Sequence, residues 1–134
     1  MARNEYPIAK EESLGNLVKV QQIIDVIVLA ELQQAQRYGN ELEQIIIQRL
    51  GGFTTRTVGV NNGYLSTRLT KLAEAGHVFR AWEGDNRYNR YYKITDQGLL
   101  YFEQLIRELP ERIDLVLSIY TGFKKYLGTF DHLR

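Results

Sequence analysis

Apolar residues recur along most of this chain with helical spacing, and the interruptions mark its joints. From about Gly15 to Gln36 the pattern predicts a long helix, with Leu17, Val20, Ile24, Ile27, Leu29 and Leu32 facing inward. Its segment Ile23–Ala30 is apolar on nearly every side. The β-branched residues there would also suit a buried strand, but the length favours a helix. Tyr38-Gly39 breaks the run. A second helix, Asn40–Leu50, carries Leu42, Ile45, Ile46 and Leu50 on one face, and Gly51-Gly52 stops it. After a loop at Phe53–Val60, Asn61 or Asn62 offers an N-cap to a third helix. That helix turns Leu65, Leu69 and Leu72 inward and closes at Gly76.

The period then changes to that of a hairpin. One strand is expected from about His77 to Glu83 and a return strand from Tyr88 to Ile94, joined by a Gly84-Asp85-Asn86 turn. Thr95 caps a fourth helix, with Asp96 placed favourably in its first turn. Pro110 suits the first turn of a renewed helix or a kink. Leu109, Ile113, Val116, Tyr120, Phe123 and Leu127 follow at alternating spacings of four and three, a heptad seam that Gly128 ends.

This order predicts a mainly α fold with a small β-hairpin: a winged helix-turn-helix domain plus a C-terminal dimerisation helix. Residues 1–13 are expected to form a flexible N-terminal arm, since Pro7 discourages an early helix. Residues 14–95 form the winged domain and residues 96–128 the C-terminal helical segment. So small a domain cannot cover the seam alone. A homodimer built from the first and last helices is the economical solution, the alternative being a monomer whose seam caps its own core.

A length of 134 residues with 44% hydrophobic content suits one domain with an adequate core. Cysteine is absent, which excludes disulfides and thiolate metal sites and points to a reducing interior. Met1–Ser13 is charged and has no apolar stretch, unlike a signal peptide. The greasiest run, Ile23–Leu32, is too short to cross a bilayer and contains Asp25 and Glu31. A cytoplasmic protein with no membrane partner is therefore expected. Catalysis has little support: His77 and His132 lie far apart, Glu11-Glu12 and Glu41/Glu43 resemble solvated helix faces, and Gly51-Gly52 follows a helix instead of opening one after a strand. No catalytic, metal or cofactor site is expected, and the protein is not read as an enzyme.

The charge distribution says more than its sum. Between Arg56 and Lys93 stand seven Lys/Arg against three acids, a local +4, which leaves −3 for the remainder of a chain of net charge +1. Such one-sidedness steers a polyanion to one surface, although chance clustering on a solvated face would give the same count. The candidate contacts to double-stranded DNA on the third helix are Asn61, Asn62, Tyr64, Ser66, Thr67, Arg68, Thr70 and Lys71. Asn can pair with adenine, Arg with guanine, and Thr can touch a thymine methyl. On the wing, Arg80, Arg87, Tyr88, Asn89 and Arg90 suit phosphates or a narrow minor groove. Trp82, Tyr91 and Tyr92 are read instead as core, because an aromatic in a wing strand must cover something.

With these residues in view, the stretch Val26–Gly98 resembles the PadR family of bacterial winged-helix regulators. Tyr38-Gly39-Asn40-Glu41-Leu42 is similar to the family's entry to helix two, with Asn40 in the usual tyrosine position. Gly63, Leu65, Leu69, Leu72 and Gly76 follow the spacing of its recognition helix. Arg90-Tyr91-Tyr92-Lys93-Ile94-Thr95-Asp96-Gln97-Gly98 is similar to its Arg-x-Tyr-Tyr-x-Leu-Thr-x-x-Gly exit from the wing. Ser66-Thr67 departs from the Tyr-Pro pair common in the family, a difference in readout and not in fold. The resemblance implies a homodimeric DNA-binding repressor whose C-terminal helix makes the dimer contact. Some relatives also sense small molecules in a cavity between protomers; no residue of this chain names such an effector. Two other readings use the same fold: a non-transcriptional DNA-binding role in replication termination, partition or DNA architecture, and a winged helix that binds other proteins.

Overall fold

In the computed structural model, residues 17–52, 62–82 and 90–134 are described. The chain divides into two compact units, one of residues 20–106 and one that includes Arg107–Arg134. The expected arm at residues 1–13, the loop at Phe53–Val60 and the wing turn lie outside the described residues.

The first unit contains helix α1 (Val20–Leu32), strand β1 (Arg37–Tyr38), helix α2 (Gly39–Gly51), helix α3 (Asn62–Glu74), strands β2 (Val78–Trp82) and β3 (Arg90–Ile94), and the start of helix α4 (Asp96–Gly128). Its core joins Ile24, Ile27, Val28, Leu29 and Leu32 of α1 to Leu42 and Ile46 of α2 and to Leu65, Leu69 and Leu72 of α3. Val78 and Tyr92 close it from the sheet. Five of the apolar residues of α1 thereby serve the core of its own domain.

α1 is shorter than expected. It closes at Leu32 with tight turns from Gln33 to the Ala30 carbonyl and from Gln34 to the Glu31 carbonyl. Val20, expected inward, is 40% exposed. The break at Tyr38-Gly39 is also a strand: Arg37 and Tyr38 pair antiparallel with Tyr92 and Tyr91, so the sheet has three strands in the order β1-β3-β2. Two residues carry no period-2 pattern, and only the partner strand makes them a strand. The Tyr38 N–H then donates to the Glu41 carboxylate at 2.8 Å, which secures the start of α2.

α3 ends as its sequence predicts. Gly76 takes φ 81°, the His77 N–H reaches the Leu72 carbonyl and the Gly76 N–H reaches that of Ala73, a Schellman closure. The Thr95 hydroxyl accepts the Gly98 N–H at 3.0 Å, capping α4, and donates to the Gly76 carbonyl at 2.7 Å. One side chain thus fastens the first turn of α4 to the turn between α3 and β2.

In the second unit α4 runs past Pro110, which lies inside the helix and deprives the Ile106 carbonyl of its usual N–H partner. Leu109 is buried, but along the expected seam Ile113, Tyr120, Phe123 and Leu127 are all exposed. No helix among the described residues is long and apolar enough to cross a membrane.

Candidate nucleic-acid interface

The burial of Leu65, Leu69 and Leu72 sets the rotation of α3 and leaves Gly63, Tyr64, Ser66, Thr67 and Lys71 exposed. The Thr67 and Thr70 hydroxyls donate back to the carbonyls of Gly63 and Ser66, at 3.0 and 3.1 Å. With its proton committed, Thr67 faces outward as an acceptor and an apolar methyl. Lys71 lies 3.8 Å from Glu74, both side chains 62% exposed, a pairing that leaves the ammonium well hydrated. Asn62 opens the helix. Asn61, Arg87, Tyr88 and Asn89 lie outside the described residues.

Arg68 departs from its expected place. Its Nε and Nη2 donate to Oδ1 and Oδ2 of Asp25 on α1, at 2.7 and 3.1 Å. Asp25 is fully buried and the Arg68 side chain 19% exposed. Position 68 flanks the inner row of α3, close enough for a long side chain to reach past Leu65 and Leu69. A carboxylate inside an apolar core is costly unless paired, and the guanidinium fork meets both of its oxygens. The bidentate capacity that suits a guanine is therefore spent inside the protein.

Tyr101 of α4 completes this cluster by donating its hydroxyl to Asp25 Oδ2 at 2.6 Å. Burial, and then this hydrogen bond to the carboxylate, push the Tyr101 hydroxyl well above its ordinary value. The His77 ring stacks on Tyr101 with centroids 4.3 Å apart. Burial holds His77 below the usual histidine range; Asp25 opposes that shift and Arg68 adds to it. Asp25, Arg68 and Tyr101 so connect α1, α3 and α4 beneath the outward face of α3. Asp25 was visible in the sequence as the one acid inside the Ile23–Ala30 run, but nothing local named its partners.

On the wing, Val78, Arg80 and Trp82 stand opposite Ile94, Tyr92 and Arg90 and share one face of the sheet. Val78 and Tyr92 root that face in the core. Farther along it, Arg80 Nη1 donates to Thr70 Oγ1 of α3 at 3.2 Å. Tyr92 is core, as expected, and Tyr91 is half-buried. Trp82 is not core: it is 47% exposed, with the Arg80 and Arg90 guanidinium carbons 5.7 and 5.9 Å from its ring centroid. Among the described residues no group of His, Cys, Asp or Glu is placed to hold a metal ion.

The profile of the transcriptional regulator PadR-like family matches residues 28–104. The chain is 30% identical over 101 residues to an uncharacterized protein X of Lysinibacillus sphaericus, a match spanning 71% of this chain and 88% of that one. Among solved structures, smu.1704 from Streptococcus mutans is similar with a TM-score of 0.57 at 22% identity, over 89% of this chain and 95% of that one. A PadR family transcription regulator from Clostridium difficile is similar with a TM-score of 0.54 at 19% identity, over 74% and 98% of the two chains. At these identities the structural matches speak for the fold.

Proposed function

Because the chain belongs to the PadR-like family of transcriptional regulators, we propose that it acts as a homodimeric repressor on a palindromic promoter site. In this reading α3 enters the major groove with Asn62, Tyr64, Ser66 and Thr67, while Lys71, Arg80, Arg90 and the wing tip engage the backbone or minor groove. The observation that carries it is the hydrogen bond from Arg80 to Thr70, which makes the exposed stripe of α3 and the basic wing one surface. Arg68, bonded to Asp25, supports that surface from behind and takes no part in base readout.

Binding through such a surface should weaken steeply as salt rises, because each neutralised phosphate releases counterions. The double variant Lys71→Ala/Arg90→Ala should bind every duplex more weakly and lower the log–log salt slope by roughly 0.9 per lost contact. Titration of a labelled promoter duplex across salt concentrations measures both. An unchanged slope would remove these two residues from the phosphate contacts. Mapping the protein's sites across its own genome tests the regulatory role, since a repressor should occupy single palindromes beside promoters.

The dimer rests on the C-terminal helix. An exposed row running from Ile113 through Tyr120 and Phe123 to Leu127 is more apolar surface than one helix keeps in water without a partner. A second copy supplies the same row by symmetry. Tyr120→Glu with Phe123→Glu should convert a dimer to a monomer in sedimentation velocity while leaving the circular dichroism of the winged domain unchanged. Wild-type protein that sediments as a monomer at micromolar concentration would refute the dimer.

A further inference from the structure

The face of the wing that begins in the core ends in an exposed indole. Along it, Val78 and Tyr92 are buried, Arg80 is half-buried and bonded to α3, and Trp82 lies outermost, 47% exposed, opposite Arg90. Strand alternation puts all of these on one side of the sheet, the side from which Arg80 reaches Thr70. The opposite side carries Phe79 and Lys93.

An indole left half in water forgoes much of the stabilisation that burying so large a ring provides. Here the ring sits beside two guanidiniums, at 5.7 and 5.9 Å, and each such contact helps to hold its orientation. The result is a flat apolar surface with one N–H donor, flanked by two cations and adjoining the outward stripe of α3. A deoxyribose–phosphate strand has the complementary chemistry: an apolar sugar edge for the ring and phosphate oxygens for the indole N–H and the guanidiniums. A protein partner would need acids placed on either side of an aromatic slot, whereas duplex DNA carries its charges at regular intervals along both strands.

We propose that Trp82 is a DNA-contacting residue, its ring laid against the sugar–phosphate backbone beside the groove that α3 enters, with Arg80 and Arg90 on the neighbouring phosphates. This rests on the DNA-binding reading above and extends it to a residue type that carries no charge. The contact is to backbone, so it raises affinity for every sequence alike and does not select among them.

Trp82 is the only tryptophan of the chain, so its emission, excited at the red edge where tyrosine does not absorb, reports this position alone. The experiment titrates the full-length protein with a short random-sequence duplex in dilute buffer. Tryptophan emission is followed in one series and anisotropy of the fluorescein-labelled duplex in another. Emission should change and saturate together with the anisotropy. Trp82→Ala should weaken binding severalfold, and Trp82→Phe, which keeps an aromatic surface, by clearly less, both with wild-type circular dichroism and thermal midpoint. Anisotropy that reports binding while emission stays constant would overturn the contact and leave the DNA-binding reading intact. So would an emission change accompanied by a Trp82→Ala variant that binds as tightly as wild type. Absence of any anisotropy change would overturn the DNA-binding reading and the contact with it.

Discussion

Asp25→Ala should lower the free energy of unfolding by about 3 kcal/mol, the lower end of what removing one partner from a buried ion pair costs. The loss comes from what remains behind. Arg68 keeps its charge with the carboxylate gone, and the Tyr101 hydroxyl loses its acceptor. Arg68 is 19% exposed and recovers some hydration, which keeps the effect from the top of that range. Urea denaturation measures it, and a wild-type midpoint for Asp25→Ala would show that leaving Arg68 without its carboxylate costs nothing. A companion variant separates the net value of the pair from the penalty of breaking it. Asp25→Leu with Arg68→Met replaces the ions by apolar groups of similar reach, and such replacements are often neutral or stabilising. It should regain most of the lost stability. Its DNA affinity is then informative: with Arg68 supporting α3 from behind, the repacked protein should still bind, whereas loss of binding in a stable protein would return Arg68 to the contact surface.

The second large effect is expected at Gly98. A Cβ added there would stand 2.0 Å from the His77 carbonyl oxygen and 3.0 Å from Ile94 Cγ1. The first obstacle is backbone and cannot rotate away, so even alanine must push the first turn of α4 off the turn between α3 and β2. Overpacking of this kind costs roughly 1–3 kcal/mol and sometimes more. It also strains the Thr95 bonds that join the two segments. Gly98→Ala should therefore lower the thermal midpoint clearly, and a midpoint matching wild type would mean that the helix can shift without loss. By contrast, Gly76→Ala meets the flexible end of Gln97 and pays mainly for its φ of 81°.

These two sites differ in how far they could be foreseen. Gly98 closes the Thr-x-x-Gly exit from the wing, so the motif was legible; its reason, a carbonyl from the preceding turn, was not. Asp25 stands out as an acid in an apolar run, yet helical spacing alone places Arg68 on the outer flank of its helix, where it would face bases. The two are 43 positions apart, and Tyr101 is 76 from Asp25. Helical spacing tells which way a Cα–Cβ bond points, but an arginine extends far enough beyond that bond to reach either side. Trp82 departs from expectation in the opposite direction. It shares the face of Val78 and Tyr92, as alternation requires, but lies at the outer end of the strand, beyond the covered part of that face.

The helices α2 and α3, the hairpin strands, the cap at Thr95 and the exposed stripe of α3 followed from the amino-acid order, because periodicity, caps and turns are decided among neighbours a few positions apart. Tertiary structure alone made a strand of Arg37–Tyr38, drew Arg68 inward and left Trp82 in solvent. Each of those outcomes was set by a partner distant along the chain: a sheet edge with unpaired backbone groups, a carboxylate that could not stay buried alone, and a core that ended before its strand did.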